Sequence, residues 1–461
     1  MDIPFHIGCF IRYYIIYSGM ANMKSVFLKL KIYVKSFFQR LFITVQLYYR
    51  NGLANHSAAC AYGFLLSMAP ILLLIAFILS FTFKASPAAI NALLANIPVL
   101  DSLFNEDWLI SDFFKLTKPG IPGIISAVGI IWAGRILSLS MQRGLKIIFP
   151  GNRSRNPVTN TLITLAIEAV VLFIILAAIF SSRTALWLYR TFHFLPDLSI
   201  LRFFTSKAGM RLSLFFMLGL FSFLAYLLVP VNYPRKFSAV QGAVLCIFAY
   251  FCISLFLDFI LDISRYDFLY GTLGSMVVLL VNVFFFFSFF LLGAQFAFVT
   301  DFYDALFFTK LRQITVIPAE EKKLKKIAPN RVFSWLLYKL YFPYDGKMTK
   351  YLRCYEKGRI IFTQGDTGED IYYLLDGEVE VIISSSQPAD VIKAGSFFGE
   401  MGPLLSEERS ATVRAKTDIS VFVLPPSLFD AVLKYDTNLD RNLIEHISRR
   451  LKNANEKIAA L

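Results

Sequence analysis

GTLGSMVVLLVNVFFFFSFFLLGAQFAFV, residues 271–299, holds no Asp, Glu, Lys or Arg from end to end. A helix needs roughly 20 apolar residues, rising about 1.5 Å each, to cross the hydrocarbon of a bilayer. This stretch exceeds that length, and its amides Asn282 and Gln295 are expensive in lipid unless partnered. Further back along the chain, five more stretches have the length and apolar content to span: about 57–83, 121–141, 159–181, 208–230 and 238–261. Helices are the form expected for all six, because a backbone in lipid must satisfy its own N–H and C=O groups. The whole-chain composition agrees: 56% of residues are hydrophobic and 17% charged, where a soluble domain has about a quarter charged. The apolar excess is concentrated between 57 and 303, whereas 310–461 reads as an ordinary soluble domain. Two bodies are therefore expected, one in the membrane and one outside it.

Residues 1–56 form an N-terminal segment ahead of the first span. Within it, Lys24, Lys29, Lys31, Lys35 and Arg40 interleave with Phe27, Leu30, Tyr33, Phe37 and Phe38, the pattern of an amphipathic helix lying on the inner membrane surface. Residues 1–30 do not read as a signal peptide, since Arg12 and three tyrosines break the apolar stretch. Met1, Met20 and Met23 are all open as starts. Lys and Arg in short loops set orientation. Arg143, Lys146, Arg153 and Arg155 follow the second span and Arg235 and Lys236 the fourth, while 84–119 carries Asp101, Glu106, Asp107 and Asp112. The loop 182–207 dissents with four basic residues against Asp197, but the balance places both termini in the cytoplasm. Residues 304–350 read as a basic linker, with Lys322, Lys323, Lys325 and Lys326 set to attract anionic lipid.

The net charge of +14 is explained by these cytoplasmic flanks, so no nucleic-acid partner is expected. The five cysteines show no CxxC spacing and the four histidines lie in separate segments, so neither a metal site nor a catalytic cluster is expected. The chain is not read as an enzyme.

From 351 to 461 the pattern changes to strands: IIFTQGD, DIYYLLDGEVEVIISS and ATVRAKTDISVFVL, punctuated by glycines. Helices are expected from Ser427 to about Leu433 and from Leu439 to Leu461. Gly358, Gly365, Asp366 and Gly377 fall in the pattern G-x-x-I-x-x-x-G-D…I-Y-x-L-x-x-G-x-V, followed by FGEMGPLLSEERSATVRA at 398–415. This resembles the cyclic-nucleotide-binding domain of the cyclic-AMP receptor and protein-kinase regulatory families, and it implies a β jelly roll with flanking helices. The resemblance makes Phe398, Gly399, Glu400, Met401, Arg409, Ser410, Ala411 and Thr412 the candidate ligand set. A cyclic phosphodiester brings one negative charge out of water, so it needs a cation and oriented N–H donors. Arg409 would supply the guanidinium, a short helix from Glu400 its free N–H groups, and Glu400 the acceptor for the ribose 2′-hydroxyl. Ser410 stands where a hydroxyl can reach guanine's amino group or a phosphate oxygen, so cyclic AMP and cyclic GMP both stay open. The competing reading is that the glycines are turns with or without ligand, and that Arg409 and Glu400 are a solvated surface pair. Two departures stand out: Glu408 where a proline usually precedes the arginine, and Pro403 inside the short helix.

The apolar body carries a second resemblance. AACAYGFLLSMAPILLLIAFIL at 58–79, IIWAGRILSLSMQRGLKIIF at 130–149, LVP at 228–230, YGTLGS at 270–275 and LLGAQ at 291–295 look like the BrkB/YihY family of six-span bacterial inner-membrane proteins. That implies a multi-pass inner-membrane domain over 57–303. Intramembrane polar candidates are Arg135, Glu168, Asn282 and Gln295; Arg135 and Glu168 lie at depths that let them pair, the alternative being that Arg135 snorkels to the inner headgroups. Pro70, Gly129, Gly134, Gly271, Gly274 and Gly293 are candidates for helix packing or hinges. The leading expectation is a permease or exporter of an unnamed solute, regulated by cyclic nucleotide. The alternative is a non-transporting, membrane-anchored sensor or lipid-interacting protein that recruits a partner. The bilayer and the nucleotide are the expected partners, no cofactor is implied, and a homo-oligomer is left open.

Overall fold

The computed structural model describes residues 22–67, 121–150, scattered positions between 156 and 170, 207–260, 272–315, 350–383, 388–435 and 448. Most of the expected spans 57–83 and 159–181 fall outside the described residues, with Glu168, the cluster at 322–326 and the closing helix. The chain divides into two compact units, Thr44–Asp301, and Met1–Ile43 with Phe302–Leu461. Helix α1, Asn22–Arg50, runs across that division.

The first unit is helical: α2 over 53–67, α3 (Ile121–Ile148), α4 (Lys207–Leu228), α5 (Lys236–Ile260) and α6 (Thr272–Asp301). Among the described residues, three segments are long and apolar enough to cross a membrane: Arg211–Leu228, Lys236–Leu257 and Val277–Asp301. Helices α5 and α6 cross where Gly242 meets Gly293, and a Cβ on either residue would overlap the other's carbonyl oxygen. Backbones approach this closely only where side chains are absent, which is how helices gain packing in lipid. Tyr226 of α4 closes the crossing, its hydroxyl donating to the Phe290 carbonyl at 2.6 Å. At the end of α6, the Asp301 carboxylate accepts the Arg235 N–H at 2.7 Å and the Ser238 hydroxyl, satisfying donors at the start of α5. The amides expected to be costly are partnered within the protein. Asn282 donates to the Val278 carbonyl one turn back at 3.0 Å, and buried Gln295 accepts from Asn51 at 3.4 Å. Arg135 is exposed on α3.

In the second unit, eight short strands among the described residues form two antiparallel sheets. They are β1 (Leu352–Tyr355), β2 (Ile360–Phe362), β3 (Ile371–Asp376), β4 (Glu378–Ile382), β5 (Pro388–Lys393), β6 (Phe397–Phe398), β7 (Thr412–Ala415) and β8 (Ile419–Leu424). One sheet has the order β1-β8-β3-β6 and the other β2-β7-β4-β5. Leu374, Phe398, Ile419 and Val421 of the first sheet meet Val379, Ile392, Val413 and Ala415 of the second in one core. Strand alternation turns Tyr373, Phe397 and Phe422 to the opposite face of the first sheet. That face is covered as well. Phe308 of α7 (Tyr303–Thr315) is fully buried against it, its ring 5.4 Å from Tyr373 and 5.7 Å from Phe422 in edge-to-face contact. Phe429 of α9 (Pro426–Tyr435) packs beside it, 6.0 Å from Phe397.

The first part of the stretch read as a linker is therefore a helix built into the β unit. Asp304 of α7 accepts from Tyr351 at 3.0 Å and Lys350 at 3.2 Å, tying the helix to the start of β1. Tyr303 donates to Gln39 of α1, and Arg40 lies over its ring at 5.3 Å.

Candidate functional site

The site is built where three backbone segments converge on Arg409. The turn Thr363–Asp366 precedes Arg409 in space: Gly365 N–H donates to the Arg409 carbonyl at 2.9 Å, and Arg409 N–H to the Asp366 carbonyl at 3.0 Å. Gly365 has φ +85°, a left-handed conformation that glycine adopts without penalty. The Asp366 carboxylate accepts the Thr363 N–H at 2.7 Å, which holds its pKa below the usual carboxylate value. Thr412 accepts the Gln364 N–H at 3.0 Å, pinning the same turn to β7.

The Arg409 side chain points inward from this frame. Its guanidinium donates to the Gly399 carbonyl and, at 2.6 Å, to the Asp370 carbonyl. It lies 4.5 Å from the ring centre of Phe362 and 5.8 Å from that of Tyr372. Gly399, at φ +74°, and Gly368 make room for it, since a Cβ at either position would stand 3.0 Å from a guanidinium nitrogen. Burial works to lower the arginine's pKa, and Tyr372, Asp370, Asp366 and Glu400 oppose that. Nε of Arg409 is buried without a hydrogen-bond partner among the described residues.

Glu400 opens the short helix α8 (Met401–Leu405) and its side chain does not cap it. Glu400 is 2% exposed and Arg409 3% exposed. The reading of these residues as a solvated surface pair does not hold. Phe398 is a core residue stacked on Tyr372 at 5.2 Å, and Ala411 is also buried. Met401 and Ser410 are exposed. Glu408 is exposed, and its carboxylate is 3.8 Å from where a Gly365 Cβ would sit, so its charge borders the turn that frames Arg409.

Sequence reasoning missed Phe362, Gly368, Asp370 and Tyr372, which shape the arginine's surroundings. The clue for Gly368 is its place in TGED at 367–370, a glycine in a stretch with no strand pattern. Asp370 acts through its backbone, which no side-chain pattern reveals.

Comparison with known proteins bears on both units. A cyclic nucleotide-binding domain family matches residues 352–436, and the family described as virulence factor BrkB matches residues 44–305. Neither is an enzyme family. Among curated proteins, a cAMP-dependent protein kinase regulatory subunit of Pyricularia oryzae is 39% identical over 17% of this chain and 20% of its own length. The cAMP-activated global transcriptional regulator CRP of Salmonella typhimurium is 32% identical over 23% of this chain and 53% of its own. The chain thus spans between a fifth and about half the length of these relatives. The crystal structure of Thermus thermophilus catabolite activator protein matches at 29% identity and TM-score 0.23, over 24% of this chain and 54% of that one. The virulence factor BrkB family covers more than half of the chain, and the chain belongs to it, with a cyclic nucleotide-binding domain fused after the membrane unit.

Proposed function

We propose that residues 351–461 bind cyclic AMP or cyclic GMP and that the bound nucleotide regulates a six-span permease or exporter in a bacterial inner membrane, with both termini cytoplasmic. The observation that carries the ligand assignment is the burial of Arg409 and Glu400 together in the β unit. Burying opposite charges costs free energy that a surface pair avoids, and a ligand with one anionic and one hydroxyl group uses both. The Nε–H of Arg409 suits a phosphate oxygen, and the Glu400 carboxylate suits a ribose hydroxyl. The double sheet is read as a jelly roll, with Gly399 admitting the sugar.

The route to the membrane unit starts beside the site. Phe397 immediately precedes Phe398, Gly399 and Glu400, and its ring lies 4.8 Å from Tyr373 and 6.4 Å from Phe308 of α7. Helix α7 begins at Tyr303, directly after the span that ends at Asp301. A nucleotide that shifts residues 397–400 changes the packing of Phe308, and the shift biases the membrane unit only if the two states bind nucleotide with different affinity. Titration calorimetry of the full chain in nanodiscs with cyclic AMP and with cyclic GMP tests the assignment. No heat with either at millimolar concentration overturns it.

The partnering of Asn282 and Gln295 inside the protein favours a second reading, in which the membrane unit is a sensor's anchor and moves no solute. Nucleotide-dependent flux from proteoliposomes separates the two. The pairing of Arg135 with Glu168 stays a proposal, Glu168 lying outside the described residues.

A further inference from the structure

Helix α1 has two faces of different character. In the stretch within the β unit, Ser36, Gln39 and Ile43 are buried, while Tyr33, Val34, Phe37 and Phe38 are 73%, 47%, 42% and 53% exposed. At about 100° per residue these four span an arc of roughly 140° on one side of the helix. The opposite side is fixed: Gln39 is buried there with Ser36 and Ile43 and accepts from Tyr303. The exposed arc is therefore not free to turn inward.

A contiguous aromatic arc of this width facing water is unfavourable, and its surroundings specify what covers it. Lys35 stands beyond one edge of the arc and Arg40 beside the other, both half-buried. The helix sequence NMKSVFLKLKIYVKSFFQRLFITVQLYYR contains no Asp or Glu, and Lys24, Lys29 and Lys31 continue the basic series upstream. Lysines and arginine this frequent rule out a span, since each costs a few kcal/mol at the bilayer centre. An apolar arc rimmed by cations, with no acid to repel phosphate, fits the boundary between headgroups and acyl chains.

We propose that Tyr33, Val34, Phe37 and Phe38 form a contact surface for anionic lipid, seated at headgroup depth with the lysines of the same helix on lipid phosphates. The surface stands independently of nucleotide binding. Its distinctive requirement is negative lipid charge, which neither a second copy of this basic helix nor a neutral membrane supplies.

Single nitroxide labels test it on the full chain in nanodiscs, using Phe37→Cys and Phe38→Cys, with Arg353→Cys on exposed β1 as the aqueous reference. Cys9, Cys252 and Cys354 are replaced by Ser, and buried Cys60 and Cys246 are kept, their signal subtracted using the unsubstituted parent. In discs with a third phosphatidylglycerol, labels at 37 and 38 should meet oxygen several-fold more readily than a water-soluble nickel chelate, relative to label 353. The depth should be about 5–10 Å below the phosphates. In pure phosphatidylcholine at high salt the ratio should fall at least twofold toward the value at 353. The proposal is overturned if both labels meet the chelate as freely as 353 does, or are shielded from both reagents as under a protein partner. A depth near the bilayer centre, or indifference to lipid charge and salt, overturns it equally.

Discussion

Replacing Arg409 by Met separates what the arginine does for the fold from what it does for a ligand. Methionine keeps an unbranched apolar stem about as far as the Nε position, while removing the guanidinium that faces the Phe362 and Tyr372 rings, its charge and its donors. The carbonyls of Gly399 and Asp370 then lose their partner, at about 1–3 kcal/mol each if they stay dry. Against that loss, the fold no longer buries a guanidinium that is 3% exposed, and apolar replacement of a buried charge is often close to neutral. A net loss of about 1–3 kcal/mol of unliganded stability is expected, a few degrees in melting temperature. Ligand affinity should fall further. A cyclic phosphate brought against this surface without its cation costs about 3 kcal/mol or more, about a hundredfold in Kd. Arg409→Lys keeps the charge but not the planar fork, and should fall between. Both readings come from one preparation in detergent, by differential scanning calorimetry without ligand and titration with cyclic AMP and cyclic GMP. If Arg409→Met binds within threefold of the parent, the guanidinium is a structural strut between two carbonyls and the assignment of the site is wrong.

Glu400→Gln should weaken cyclic AMP by about tenfold, the worth of a charge-assisted bond, and shrink the preference over the 2′-deoxy analogue by a similar factor; an unchanged preference assigns Glu400 no ribose contact. Phe308→Ala removes a fully buried ring and should cost the β unit about 3–5 kcal/mol, read by chemical denaturation; less than 1 kcal/mol would mean that α7 does not hold its seat in solution. Gly293→Ala should sharply reduce the folded fraction recovered in mild detergent, because the new methyl overlaps the Gly242 carbonyl, whereas Gly52→Ala, whose Cβ meets nothing within 4 Å, should cost only its left-handed backbone strain of about 1 kcal/mol. Equal recovery of the two variants would show that the crossing relaxes.

Long apolar runs made three of the expected spans, now seen at Arg211–Leu228, Lys236–Leu257 and Val277–Asp301, legible, since nothing but lipid or a buried core accepts them. In the candidate site, the sequence pattern picked out Glu400 and Arg409, which the fold buries side by side in the β unit. The site was illegible where the backbone acts, as at Asp370, whose carbonyl rather than carboxylate holds the arginine. Helix α7 was missed for a different reason. Residues 303–315 carry both charges and aromatics, and their burial depends on a sheet face whose strands come much later in the chain. The run ISVFVL at 419–424 held the clue, because a strand apolar on consecutive positions is covered on both faces.

Phe308 leaves the ribosome more than a hundred residues before Phe422, the last ring that encloses it. At a synthesis rate of about 5–20 residues per second, α7 waits on the order of 10 s with its aromatic seat unbuilt. During that interval the final span is already complete, and an unburied Phe307-Phe308 pair next to it invites off-pathway insertion or aggregation. Biogenesis of this chain is thus ordered in time. The β unit closes over a helix of its own that is made first, and a copy cut short before β8 leaves Phe308 without the Phe422 ring.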